Sequence, residues 1–283
     1  MKGDLIINGV DVYDVYGVYI INGGYDDLMA YPSTKKVSYN DWHEYDGIEP
    51  DLERISLEAK QSTINLGCNM SYNRLLAFFT FLETRAESEY YFAEIGLTKK
   101  LRLVGYSNVE YNEIGRCSLV VSEDIPMNGY TYLEPINSKV ILTDYTLDGV
   151  DLGRYGISVL YGTIESMQTR GKVKQNLLRN ISILNGVIYD SNAKVTKSNR
   201  EISLSCQITA SNYATLYRNY NALLYDLVRS IPNADVTRQA LRTLTSADIG
   251  GSVECYYKGA SVQMFDVSDT SPSIAFTLQF VAI

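Results

Sequence analysis

Asn8-Gly9-Val10-Asp11-Val12-Tyr13-Asp14-Val15-Tyr16-Gly17-Val18 decides the reading of the fold, because the chain says it twice. Asp148-Gly149-Val150-Asp151-Leu152-Gly153-Arg154-Tyr155-Gly156-Ile157 repeats Gly-Val-Asp-apolar and then Tyr-Gly-apolar, with one residue fewer between. A Gly-Val-Asp match alone is cheap, so the order of the segments downstream matters more. Arg54-Ile55-Ser56-Leu57 is echoed by Glu201-Ile202-Ser203-Leu204, and in each half a Tyr- and Leu-rich helical pattern comes next. Two or three strand-like runs then close each half. Matched points drift from about 140 to about 147 residues apart, as small loop insertions produce, so the expected organisation is a duplication. Its two units are residues 1–138 and 139–283.

Bulk properties fit that organisation. At 283 residues the chain exceeds the usual single-domain size. With 46% hydrophobic and 20% charged residues it can bury a real core. The net charge of −8 argues against a surface that holds nucleic acid through its phosphates. The opening residues have no apolar signal-type run, and no stretch approaches the ~20 apolar residues of a membrane span. The chain therefore reads as soluble and unexported, with no membrane partner.

Within each half the patterns call for strands, one helix and more strands. Residues 5–21 look like short strands about a turn, and residues 35–39 a strand in a projecting hairpin. Ile55, Leu57 and Ala59 alternate with polar residues as a half-buried strand does. Ser71 is a candidate cap for a helix presenting Tyr72, Leu75, Leu76, Phe79 and Leu82 on one face. Residues 101–104, 109–112 and 117–121 read as closing strands. Residues 126–138 form the linker, short enough to hold the halves in a fixed relation. In the second half, 139–144, 156–161 and 202–208 read as strands. Ser211 is the candidate cap of a helix carrying Leu216, Tyr220, Leu223 and Leu227. Residues 231–251 fit either a short helix or a strand through 240–244. Strands at 253–257, 261–267 and 274–283 finish the chain. The fold class expected is mainly β with one helix per domain (α+β), as two β-barrel or sandwich domains in tandem.

Chemistry is sparse. Cys68, Cys117, Cys206 and Cys255 lie far apart, and His43 is the single histidine, which offers no zinc spacing and no histidine-based nucleophile motif. The cysteines read as buried thiols. No glycine-rich phosphate loop and no distinguished carboxylate pair is present, so neither catalytic residues nor a metal or cofactor is expected. The 24 tyrosines admit two readings. Tyrosine suits recognition surfaces, carbohydrate stacking included, and a pair of tyrosine-rich carbohydrate-binding β-sandwiches is the alternative function. Tyrosine also fills half-exposed strand positions, and Tyr213, Tyr217 and Tyr220 stand at helical packing distance.

One charge contrast is more pointed. The long loop of the first half carries Asp41, Glu44, Asp46, Glu49, Asp51 and Glu53, and that of the second half Arg170, Lys172, Lys174 and Arg179. Repeated domains whose equivalent loops differ in charge suit a head-to-tail ring, in which the basic loop of one subunit meets the acidic loop of the next. Asp41, Glu44, Asp46, Glu49, Arg170, Lys172, Lys174 and Arg179 are therefore the candidate subunit-contact residues.

The opening pattern (an apolar strand, Asn-Gly-x-Asp, then Tyr-Gly-apolar) resembles the start of the distal tail proteins of long-tailed bacteriophages. That family's first domain is similar to the phage tail-tube fold, a β-barrel or sandwich with a flanking helix and a long projecting loop. The usual distal tail protein has a galectin-like domain after it, whereas here the second half reads as another copy of the first. Duplicated tube-like domains resemble baseplate hub proteins and some tail tubes, where three chains place six domains around a channel. The resemblance implies a non-catalytic virion tail protein made in the bacterial host cytoplasm. Its partners would be further copies of itself, as a trimer or hexamer, and the tail-tube and tip or baseplate proteins. DNA would pass through the channel without specific binding.

Overall fold

A computed structural model describes residues 3–21, 24–69, 71–111, 115–136, 143–174, 178–189, 192, 194–232 and 235–283. The first half contains β1 (Leu5–Ile7), β2 (Val10–Asp11), α1 (Val12–Tyr16), β3 (Val18–Ile20), β4 (Tyr39–Asn40), β5 (Glu49–Pro50), β6 (Lys60–Cys68), α2 (Tyr72–Glu83), β7 (Glu87–Phe92), β8 (Leu97–Tyr111) and β9 (Gly115–Glu123). The second contains β10 (Tyr145–Leu147), β11 (Val150–Asp151), β12 (Ile157–Val159), α3 (Thr163–Gln168), β13 (Arg179–Asn180), β14 (Val187–Ile188), β15 (Arg200–Thr209), α4 (Tyr213–Val228), β16 (Arg242–Ser246), β17 (Gly251–Asp266) and β18 (Ser273–Ala282). One seven-stranded sheet runs β2-β1-β7-β8-β9-β6-β3 and the other β11-β10-β16-β17-β18-β15-β12. The two orders match position by position. The protein is mainly β, in two sheets compatible with two β-sandwich domains.

The repeated stretch explains itself locally. Asn8 and Gly9 have φ of 51° and 80°, and Asp148 and Gly149 have 50° and 81°. Positive φ at both central residues is the two-residue hairpin turn that matches strand twist, and Asn-Gly or Asp-Gly tolerates it best. Asp11 then caps α1, its carboxylate accepting from the backbone of Tyr13 and Asp14, while Asp151 accepts from Gly153 at the head of a 3-10 turn. Gly17 and Gly156 end these turns in the left-handed region. Each motif is thus a hairpin, a capped turn and a left-handed stop that feeds the edge strand.

Pairing corrects the sequence alignment of the halves. Val18 pairs with Cys68 and Ile157 with Ile208, so Cys68 corresponds to Ile208 and Ser62 to Ile202. The Ile55–Ile202 match is accidental: β6 starts at Lys60, and Ile55 belongs to the loop before it. The separation is 140 residues at Cys68 and Ile208. It reaches 159 by Cys117 and Phe276, which face the equivalent residues Leu66 and Cys206. A longer helix, 16 residues in α4 against 12 in α2, contributes to the difference.

Other expectations also shift. Each half has a short helix beside its long one. Ser71 precedes α2 without a side-chain cap, and Asn212 rather than Ser211 caps α4 by accepting from Thr215. On α2, Leu75, Phe78 and Leu82 are buried while Tyr72 and Leu76 are exposed; on α4, Leu216, Tyr220, Leu223 and Leu227 all face the core. The runs at 101–104 and 109–112 merge into β8, as far as Tyr111. Strand β7 is an addition, its buried Ser88, Tyr90 and Phe92 alternating with exposed residues. Residues 242–246 are strand, after a 3-10 turn at Val236–Arg238. The strand expected at 139–144 and the boundary between 138 and 139 lie largely outside the described residues. All four cysteines are free and buried.

Candidate subunit-contact site

The halves are joined by more than their linker. Residues 126–136 lie along α4, where the Asn219 amide brackets Ile136, accepting from its N–H and donating to its carbonyl, both at 2.8 Å. Tyr132 and Tyr155 both donate to the Asp226 carboxylate, which also faces Arg229 at 2.9 Å. From the other side, Tyr31 stacks on Tyr220 with ring centroids 4.0 Å apart, and the Tyr220 hydroxyl donates to the Met29 carbonyl. Tyr257 donates to Pro32, and Tyr217 to Ile95. Burial pushes the Tyr31 and Tyr220 hydroxyls far above the usual phenol range. Many tyrosines therefore act as packing groups with one satisfied hydroxyl.

The long loop of the first half, residues 25–59, extends onto the second sheet. Its Ile48, Leu52 and Ile55 form a small core with Ala240, Tyr256 and Val281. Leu52 is fixed on both sides, its N–H donating to Thr237 and its carbonyl accepting from Ala240. Its β4–β5 ribbon ends in a tip, residues 41–48, that reaches the base of the second loop.

There Lys174 is only 7% exposed. Its ammonium donates to the carbonyls of Trp42, Tyr45 and Gly47 at 2.8, 2.9 and 2.6 Å and faces the Asp41 carboxylate at 2.6 Å. Four oxygens around one cation satisfy it at a position where an unpaired charge would be costly. Thr196 donates to the His43 carbonyl, Lys197 N–H to Asp46, and Gly47 N–H to the Lys197 carbonyl. The hydrogen bond from the Lys197 backbone, helped by Lys194, holds the exposed Asp46 carboxyl below its usual range. Gly47 takes φ 73° here with the Ile283 backbone 2.9 Å from where a Cβ would stand, so the tip needs glycine.

The structure thus brings acidic and basic loops together inside one chain. Asp41, Asp46 and Lys174 take part in that contact within the chain, a use the sequence reading did not include. Arg170 and Asp46 both line a cavity of about 280 Å³. Glu44, Glu49, Lys172 and Arg179 are exposed. Sequence reasoning missed the apolar residues Ile48 and Leu52 and read Ile55 as a strand residue; their spacing of four and three is that of a helical face, yet the segment that holds them is a loop.

The second loop has the same build. Thr34 bridges Leu57 as Val173 bridges Lys197, and Lys35 N–H donates to Ser56 as Lys174 N–H donates to Thr196. Tyr39 pairs with Pro50 as Arg179 pairs with Ile188. Yet the apolar residues described on and beside its ribbon lie in water: Leu178, Ile183, Leu184, Val187, Ile188 and Tyr189 are all exposed, Ile183 by 88%.

Among the described residues no group of three or more His, Cys, Asp or Glu could hold a metal, and no helix is long and apolar enough to cross a membrane. No protein-family model and no curated protein matches the sequence. Among solved structures the chain is similar to the Dit protein of phage SPP1, described as a paradigm of the hub adsorption apparatus in phages infecting Gram-positive bacteria. The two are 8% identical, with 98% of this chain and 97% of that one covered, at a TM-score of 0.34.

Proposed function

We propose that this chain is a structural component of a phage or prophage-derived tail. It forms a closed ring at the tail tip or baseplate that joins the tail tube to the tip and leaves a channel for DNA. The observation that carries the ring is the unequal fate of two equivalent loops. The first loop buries Ile48, Leu52 and Ile55 on the second sheet, while in the second loop Leu178, Ile183, Leu184, Val187, Ile188 and Tyr189 are all exposed. A head-to-tail contact repeated by rotation satisfies every such loop once, and a closed ring leaves none over. The opening motif and the sheet-plus-helix units with a projecting loop support the tail assignment. The short edge strands β2 and β3 are where neighbouring sheets could meet, which removes free edges. A net charge of −8 suits a lumen that repels passing DNA. The role is structural rather than catalytic.

Absolute mass by light scattering across a concentration series tests the ring. A trimer, placing six similar domains about an axis, or a hexamer is expected. A monomer at every concentration would overturn it.

A further inference from the structure

The duplication places two clefts at equivalent positions, and one of them is empty. In the second half the cleft is formed by Lys174 and Thr196, and the tip of the first loop fills it. In the first half the equivalent residues are Lys35 and Ser56, again a lysine and a hydroxyl. They line an open cavity of about 450 Å³ together with Val37, Asp51, Glu53, Arg54 and Ile55. Lys35 is exposed, and its ammonium has no side-chain partner among the described residues. Two loops of one build and two clefts of one build therefore leave one tip and one cleft unused, and the tip cannot fold back into its own base.

We infer that the tip at residues 181–186 of one subunit docks into the Lys35–Ser56 cleft of a second copy of this chain. The Lys35 ammonium is received there by carbonyls of the tip, as Lys174 is received by those of Trp42, Tyr45 and Gly47. Gly186, with φ 82°, takes the place of Gly47, with φ 73°. Ile183 and Leu184 leave water against the half-buried Val37 at the mouth of the cleft. Arg179, on the strand leading to the tip, meets Asp51 and Glu53. The second loop suits an acidic neighbour: residues 170–197 hold Arg170, Lys172, Lys174, Arg179, Lys194 and Lys197 against one acid, Asp190. The acidic and basic loops thus still mate between subunits, through different residues from those already paired inside the chain. This inference rests on the ring reading and adds its contact surface.

Cysteine cross-linking of the full chain with a short bismaleimide tests it, since the native cysteines are buried. The double variant Lys35→Cys/Ile183→Cys should give a ladder of covalent oligomers. Either single variant alone should stay uncross-linked, and a mixture of the two singles should give covalent dimer. Lys35→Glu should weaken assembly ~10-fold or more without lowering the melting temperature of the unassembled chain at high dilution, because the charge it removes is exposed there. Lys174→Met, in contrast, should lower the melting temperature itself. A ring by light scattering with no ladder, or one that assembles normally with Lys35→Glu, would overturn the docking and leave the ring standing. A monomer at every concentration would overturn both.

Discussion

Lys60 shows at the residue scale what a buried cation costs when its partners are few. Where Lys174 has four oxygens, Lys60 is 8% exposed and its ammonium donates to the Leu28 carbonyl at 2.6 Å. Burial lowers its pKa to about 7, with Lys99 adding repulsion, while Glu123 and Asp27 act the other way. Between about pH 7 and the ordinary lysine range the unfolded chain holds this proton and the folded chain does not. Stability gained from this group therefore rises with pH across that window and is lost below it. Relative to Lys60→Met, the wild type should gain several degrees of melting temperature from about pH 7 to pH 10, other titrations cancelling in the difference. A gap that stays flat in thermal scans would refute the assignment. Neither lysine's burial was legible in the sequence, because the oxygens around each come from loops far away in the chain.

At the scale of elements, the repeated turn is held by backbone conformation rather than by apolar area. Gly149 and Gly156 both have positive φ, but a Cβ at Gly149 would meet open space, whereas at Gly156 it would stand 2.7 Å from the Thr209 carbonyl oxygen. Gly149→Ala should cost roughly 1 kcal/mol and Gly156→Ala roughly 2–4 kcal/mol, from left-handed strain alone in one case and strain plus a backbone clash in the other. Denaturant unfolding of the two variants measures the gap; equal costs would show that Thr209 yields. These turns and the long α4 stripe were readable because their causes are local: positive φ, capping and a 3.6-residue period. Strand β7 was harder, since the buried Ser88 breaks the apolar alternation that Tyr90 and Phe92 continue.

For the whole molecule, Leu52 is the natural probe of how the halves are coupled. It is fully buried in the small core between the first loop and the second sheet. Leu52→Asp would place a carboxylate there with no partner, a change that costs ~3 kcal/mol or more. The loop should detach while both sheets persist, so calorimetry should show two transitions where the wild type shows one. A single, merely lowered transition would mean that the linker and the Tyr31–Tyr220 stack suffice to unfold the halves together.

The sequence by itself determined the duplication, the β-rich class with its long helices, and the opposite charge of the two loops. Each of those is written in contiguous residues, where turn chemistry, periodicity and charge act over a few positions. Only the tertiary structure decided the register between the halves, because a four-residue echo such as Ile-Ser-Leu and its neighbour recurs by chance while strand pairing is fixed by hydrogen bonds along a whole ladder. It also decided where the loops go. The partners of Lys174 lie 127 to 133 residues away in sequence, a separation across which no local pattern carries information.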